Sequence, residues 1–398
     1  MDDSLQSIIN IKRHNLKSII NYLREIPCAT KKEISQALFL SFATVSNLCN
    51  WMELQGIIES EPDDGQGKVG RTPQKIRLQP RSRLLAAVDI HRSNRAVLRL
   101  YNLSGKVEAH AEFSYDERNI HDFMKRFVQE YQSAFTAAQR ERVDGMGVAV
   151  SGIYDTITEN IVASELDLFE EQPLKRLLSA ALDLPVYVEN DTNLCAFGIA
   201  QKVKTNNLIY FYIGEGLGIG IVTDGKSVKG QRGYAPEICH APLGLLDRPC
   251  QLCGSERCMQ TDLSIYGFVE KFTGRAPTHG DHRGWDGFLQ ALARKDARAF
   301  AVTQENAHIL AAGISVVTNL FDPEVVAIGG IPESLFRELQ EVTSRVTNQR
   351  RVVKSGPPIV LAHDNDFPET LLYGTAEMAY VRWCPSMYSQ IQESEVSG

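Results

Sequence analysis

The sequence predicts an α/β protein in which an N-terminal winged helix-turn-helix precedes a two-lobed body. Three observations predict it. Two short helical tracts are separated by Phe39 and Leu40 alone. Further on, two strand meanders each open a stretch of alternating helices and strands. The length of 398 residues with 43% hydrophobic residues suits two or three domains with sizeable cores.

Composition removes several classes. Gly (29) and Pro (16) are too few for a collagenous or disordered chain. The longest apolar runs, such as Leu208 to Ile213, fall far short of the roughly 18 residues that cross a bilayer, and the acidic start Met1 to Leu5 does not resemble a signal peptide. A soluble, cytoplasmic protein without a membrane partner is expected. The net charge of -7 offers no global basic field, so any DNA binding must be local. The first 80 residues carry 10 Lys+Arg against 9 Asp+Glu, slightly basic beside an acidic remainder. Eight cysteines without export signals argue against a disulfide framework, because the cytosol keeps thiols reduced.

Within the head, Leu16, Ile19, Ile20 and Leu23 form one face of a helix over Asn15 to Leu23. Thr30-Lys31-Lys32-Glu33 reads as a capping box opening a helix to about Leu38. Ser41 caps the next helix, Phe42 to Gln55, and Gly56 stops it. So tight a pair has the layout in which the second helix enters the major groove, with Ser41, Thr44, Ser46 and Asn47 as its reading residues. Strand-like pieces Ile57 to Ser60 and Lys75 to Leu78 flank a turn-rich wing, whose Lys68 and Arg71 suit a minor groove. A small helical cap that binds no DNA is the plainer alternative.

The body begins near Arg83. Leu84 to Ile90, Arg95 to Tyr101 and Lys106 to Phe113 form the first meander. A helix from His121 to Gln139, a strand Gly145 to Val150, a helix Pro173 to Leu182 and a strand Val186 to Glu189 follow. Leu208 to Ile213, Gly218 to Thr223 and Ser227 to Gly230 repeat the meander, which suggests a duplicated α/β protein with a ligand cleft between its halves. Ile314 to Leu320 is apolar, and Asp322 to Gly330 gives a buried strand ending in paired glycines.

Three tracts can carry chemistry. Asp191, in Glu189-Asn190-Asp191-Thr192-Asn193, sits at a strand-to-helix junction, where a carboxylate can accept a hydroxyl proton or simply cap the helix. Gly214 to Gly220 is a glycine-rich turn, but Glu215 would repel phosphate, which favours a plain hairpin. His240, Cys250, Cys253 and Cys258 supply one imidazole and three thiolates with the spacing of a closed, structural zinc site, redox pairing being the alternative.

Together these residues resemble the ROK family of repressors and sugar kinases over nearly the whole chain, and the repressor branch most. Asn190-Asp191-Thr192-Asn193 matches its Asn-Asp-x-Asn, Glu237 to His240 its Glu-x-x-His, the cysteines its zinc motif, and Asn319 to Gly330 its Asn/Pro/Gly-Gly tail. The resemblance implies an actin-like, hexokinase-type (ribonuclease H-like) fold. It implies a sugar held by Asn190, Asp191, Glu237 and His240, with Asp191 corresponding to the kinases' base. Gln260 stands where a sugar-contacting Glu is expected, and Glu165 where kinases have a sugar-binding Asn.

The departures matter. Family kinases carry Asp-x-Gly-Gly-Thr at the first hairpin, whereas this chain has Asp89-Ile90-His91-Arg92-Ser93-Asn94. The second phosphate loop, Gly-Thr-Gly, is here Gly214-Glu215-Gly216. Both halves of the nucleotide site look spoiled, so a non-enzymatic regulator is expected. Its domains would be 1–80 (winged head), 81–200 (lobe 1) and 201–398 (lobe 2), with the C-terminal helix able to return to lobe 1. Expected partners are operator DNA, a sugar or sugar derivative, and a second copy in a homodimer or dimer of dimers. An ATP-dependent sugar kinase and a sensor of a transporter protein are the rival readings.

Overall fold

A computed structural model of the chain describes residues 3–62, 74–92, 94–164, 166–278 and 282–387. Two units emerge. The first comprises residues 1–151, 165–188 and 375–398, and the second residues 152–164 and 189–374.

In the first unit the head begins with α1 (Asp3–Glu25), twelve residues earlier than the apolar face at Asn15 suggests. Leu5 and Ile8 continue the same spacing back to its start. Next come β1 (Ala29–Thr30), α2 (Lys31–Leu38) and α3 (Phe42–Leu54). The capping box forms: the Thr30 hydroxyl accepts from the Glu33 amide, and the Thr30 amide donates to the Glu33 carboxylate. Ser41 caps α3 by accepting from the Thr44 amide at 3.0 Å. Strands β2 (Ile58–Pro62) and β3 (Gln74–Leu78) pair antiparallel, and β1 adds to β3. The wing tip, with Lys68 and Arg71, lies outside the described residues.

The body of this unit holds β4 (Leu84–Asp89), β5 (Arg95–Asn102), β6 (Val107–Ser114), α4 (Ile120–Ala134), α5 (Ala137–Arg140) and β7 (Val143–Val150). The single helix expected over His121 to Gln139 is broken. Phe135 turns extended and is buried, while Thr136 and Gln139 form a second capping box that starts α5. A short hairpin, β8 (Ile153–Tyr154) with β9 (Ile161–Ala163), belongs to the second unit and was not legible in the sequence. Then come α6 (Leu174–Leu182), β10 (Val186–Asn190) and α7 (Asp191–Val203).

The second unit continues with β11 (Leu208–Ile213), β12 (Leu217–Thr223), β13 (Lys226–Ser227), α8 (Met259–Leu263), α9 (Ile265–Thr273), α10 (Arg283–Ala293), α11 (Ala297–Phe321), β14 (Val325–Gly329), α12 (Glu333–Arg350) and β15 (Val360–His363). The last helix, α13 (Phe367–Met387), contributes Phe367–Gly374 to this unit and its remainder to the first.

The duplication is visible in the sheets. One runs β10-β7-β4-β5-β6 and the other β13-β12-β11-β14-β15. In each, the first strand of the lobe pairs antiparallel with the second and parallel with the fourth. Near-continuous burial of β4 and β11 fits central strands covered on both faces.

The head is not loosely tethered. Leu16, Ile19, Ile20 and Leu23 of α1 share one core with Leu85 and Leu103 of the lobe and Tyr380 and Trp383 of α13. Polar contacts reinforce that core. Arg24 donates through Nη1 to Glu377 at 2.9 Å and lies 4.5 Å over the Tyr380 ring, whose hydroxyl donates to Asn21 at 2.8 Å.

Candidate DNA-reading face and ligand site

On the head, the reading residues divide by exposure. Ser41 and Asn47 are exposed, whereas Thr44 and Ser46 are half-buried. Ser41 and Thr44 also bond to each other, hydroxyl to hydroxyl, at 2.8 Å. Between them Phe42 and Ala43 stand exposed, two side chains that a search for hydrogen-bonding readers passes over.

In the second unit, β10 hands over to α7 at Asn190. Its Oδ1 accepts from the amides of Thr192 and Asn193, so Asn190, not Asp191, caps the helix. Its amide nitrogen donates to the Gly152 carbonyl at 3.0 Å, tying this junction to the β8–β9 hairpin. Asp191 is the first helical residue, and its Oδ1 accepts from the Thr192 amide at 2.7 Å. The glycines of β12 explain the approach of α7. A Cβ on Gly218 would lie 2.2 Å from Thr192 Oγ1, and one on Gly220 2.4 Å from the Thr192 carbonyl oxygen. The glycine-rich tract is thus a seat for α7, with a tight turn closed by the Gly214 amide donating to Gly216 at 2.9 Å.

Glu237 precedes a single 3-10 turn, Ile238–His240. Burial, then the Asp191 charge, raises its carboxyl above the ordinary range, although 44% of the side chain remains open. His240 points two ways: Nε2 lies 3.7 Å from the Glu237 carboxylate, while Nδ1 lies 3.7 Å from Cys250 Sγ and 3.5 Å from Cys258 Sγ. One ring can therefore serve both assignments made for it. Ligand atoms of His240, Cys250, Cys253 and Cys258 all fall within 4.8 Å of one another, a group that can hold a metal ion. Tetrahedral zinc with N and S ligands requires separations of about 3.6 Å between them, which the histidine-to-thiol distances match. Gln260 sits half-buried in the first turn of α8, two residues past Cys258. The Met259 amide donates to Ala241 at 3.0 Å, which keeps this helix beside the His240 turn. Glu165 lies outside the described residues.

Sequence reasoning missed two buried supports. Lys229 Nζ donates to Glu189 Oε2, while Glu189 Oε1 accepts from Asn193 at 3.2 Å. Asp155, fully buried, accepts from Tyr234 Oη at 2.6 Å, from the Ile157 and Thr158 amides, and from Arg232 Nε at 3.0 Å. These bonds, the Tyr234 hydroxyl foremost, hold its carboxyl well below its ordinary range. Asp155 thereby fastens the β8–β9 turn to the loop that runs into Glu237. No periodic pattern marks such residues, because their partners are distant in sequence.

The two loops that depart from the kinase pattern are satisfied internally. In the first unit His91 donates to Asp89 Oδ1 from its amide at 3.0 Å and also meets it through Nδ1, while Arg92 Nε donates to His91 Nε2 at 3.1 Å. Burial opposes ionisation of Asp89, but its contacts with His91, with the Arg92 charge beyond, outweigh it and leave the carboxyl below its ordinary range. In the second unit Glu215 accepts from Tyr266 Oη at 2.8 Å and lies 3.3 Å from His282 Nε2.

The profile described as the ROK family matches residues 86–369. Among curated proteins, a xylose repressor of Caldicellulosiruptor bescii is 25% identical over 367 residues, 86% of this chain and 89% of the relative. A ROK-family transcriptional regulator, described as a homologue of the Escherichia coli Mlc protein, superposes with a TM-score of 0.79 at 20% identity, covering 96% of this chain and 99% of that one. A ROK hexokinase from Thermus thermophilus gives 0.63 at 21% identity, covering 75% of this chain and 98% of its own.

Proposed function

This chain belongs to the ROK family, and from that membership we propose that it is a DNA-binding transcriptional regulator, a repressor, of genes for carbohydrate metabolism or transport, with a sugar or sugar derivative as effector. One observation carries the reading: a helix-turn-helix with an outward-facing second helix shares a core with a ROK body. Ser41, Asn47 and their neighbours on α3 enter a major groove, with Lys68 and Arg71 of the wing alongside. A head of almost no net charge binds one half-site weakly, so a homodimer or dimer of dimers gives useful affinity in the cytoplasm.

Asp191 and Glu237 accept hydroxyl hydrogens of the effector. Asn190 holds the junction and has a second amide hydrogen to offer, and His240, Gln260 and Glu165 complete the set. Zinc, bound by His240, Cys250, Cys253 and Cys258, would supply a fixed tie and no catalysis, since four protein ligands leave no open position. It would orient His240 toward Glu237. Effector binding shifts the DNA affinity only through a difference in its own affinity for two states of the protein. The helix that belongs to both units, α13, is the natural carrier.

A sugar kinase is the second reading, favoured by Asp191 at the start of α7. Against it, Asp89 and Glu215 are already occupied by His91, Tyr266 and His282. Thermal shift against sugars, sugar phosphates and Mg-ATP separates the two. A ligand at about a hundred times its Kd adds roughly 2.7 kcal/mol. A sugar that raises Tm with no response to ATP supports the regulator, and formation of a sugar phosphate from Mg-ATP overturns it.

A further inference from the structure

Phe39 is 95% exposed, yet its backbone is left-handed, with φ at 54°. That conformation is unfavourable for any residue with a Cβ and ordinary for glycine. The phenyl ring contributes almost nothing to the fold, so a strained position is held by a side chain that the head itself does not use. Three residues on, Phe42 begins α3 and is 58% exposed. The two residues bracket Ser41 in the sequence, and the Ser41 hydroxyl is engaged with Thr44. The first turn of α3 therefore offers Phe42 and the methyl of Ala43 to whatever it meets, more than it offers free hydrogen-bonding groups.

The surroundings indicate what covers this patch. Across α2 and α3 the charges of Lys31 and Lys32 are balanced by Glu33 and Glu53, so the occupant is indicated by the layout, in which the first turn of the second helix is the part that enters the major groove. Lys31 reaches across to Asn50 of α3 at 2.6 Å, which sets a cation beside the same helix. The positive end of the α3 dipole, at its first turn, favours an anion such as a DNA phosphate. At that position an apolar tip has one complement on DNA, since the sole apolar group on a major-groove base edge is the 5-methyl of thymine.

We propose that Phe42, with Phe39 at the rim of the groove, forms an apolar reader of thymine 5-methyl groups, so that sequence preference rests on these methyls and less on hydrogen bonds from Ser41 and Thr44. The proposal rests on the regulator reading, and its test separates the two. Duplexes enriched from a random pool by the full-length protein are remade with uracil in place of thymine, a change that deletes only the methyl group. Affinity falls about fourfold for each methyl contacted, the burial of one such group. F42A binds the thymine duplexes more weakly and no longer distinguishes uracil from thymine. F39G, freed of the left-handed penalty, keeps or raises Tm while losing affinity, so its loss is not one of folding.

Equal affinity of the parent protein for both duplexes overturns the reader, as does discrimination that survives in F42A. Undiminished binding by F39G removes Phe39 from it. A change of oligomeric state in F42A at constant DNA affinity overturns it in favour of contact between copies. Enrichment without thymine discrimination leaves the regulator standing; no enrichment at all brings down both.

Discussion

Asp155 shows how a single buried side chain can fix the loop that runs into Glu237. Its depressed carboxyl means that the stabilisation is present above the unfolded value, near 4, and is lost as pH falls through the lower folded value. The Tm of the parent protein should therefore drop between about pH 5 and pH 2 more steeply than that of Asp155→Asn, which starts lower and lacks this dependence. Equal slopes would show that the cluster is not charged as described. At the other end of the chain, Glu377→Ala removes the carboxylate of a partly buried ion pair with Arg24, and breaking such a pair costs about 3 kcal/mol or more. Denaturant unfolding should show that loss, with faster hydrogen exchange concentrated in α1. Of these residues the sequence revealed the local ones. Thr30 with Glu33 and Ser41 with Thr44 were legible because the partner lies three positions away. Asp155, Lys229 and Glu377 were not, because their side-chain partners lie 40 to 353 positions away.

At the scale of elements, apolar periodicity placed the helices and strands, and capping decided their ends. Where a second capping signal lay inside a periodic stretch, as at Thr136, periodicity alone ran the helix too far. The strand expected over Ser227 to Gly230 is only Lys226–Ser227, and the chain turns at Gly230, with φ of 66°. Glycine spacing carried meaning that the sequence left ambiguous. Gly218 and Gly220 suggested a phosphate cradle or a hairpin, and their clearances show a helix seat. The same device recurs where Gly198 of α7 meets Gly374 of α13, a Cβ on Gly374 lying 2.0 Å from the Leu194 carbonyl oxygen. Gly374→Val should cost about 1–3 kcal/mol as an overpacked contact, read as a lowered denaturation midpoint, whereas Gly254→Ala, with open space around it, should cost only the penalty of its positive φ.

For the whole molecule, the repeated sheet order matches the duplication read from the meanders, and the head's attachment is the feature that sequence could not supply. Trp383 and Tyr380 complete the head's core from the far end of the chain. Trp383→Ala should cost about 3–5 kcal/mol and weaken DNA binding without removing any residue of α2 or α3. If the proposed zinc and sugar sites are right, metal analysis should return about one zinc per chain and a chelator should lower Tm together with sugar binding, because His240 lies between the cysteines and Glu237. Among the described residues no helix is long and apolar enough to cross a membrane. If, as proposed, one molecule joins a DNA-reading head to a sugar-sensing body, its affinity for an enriched duplex should differ with and without a sugar that raises Tm. The sugar should weaken that binding at least about tenfold, equivalent to roughly 1.4 kcal/mol of coupling. Binding that the sugar leaves unchanged, or a sugar consumed with ATP, would rule this coupling out.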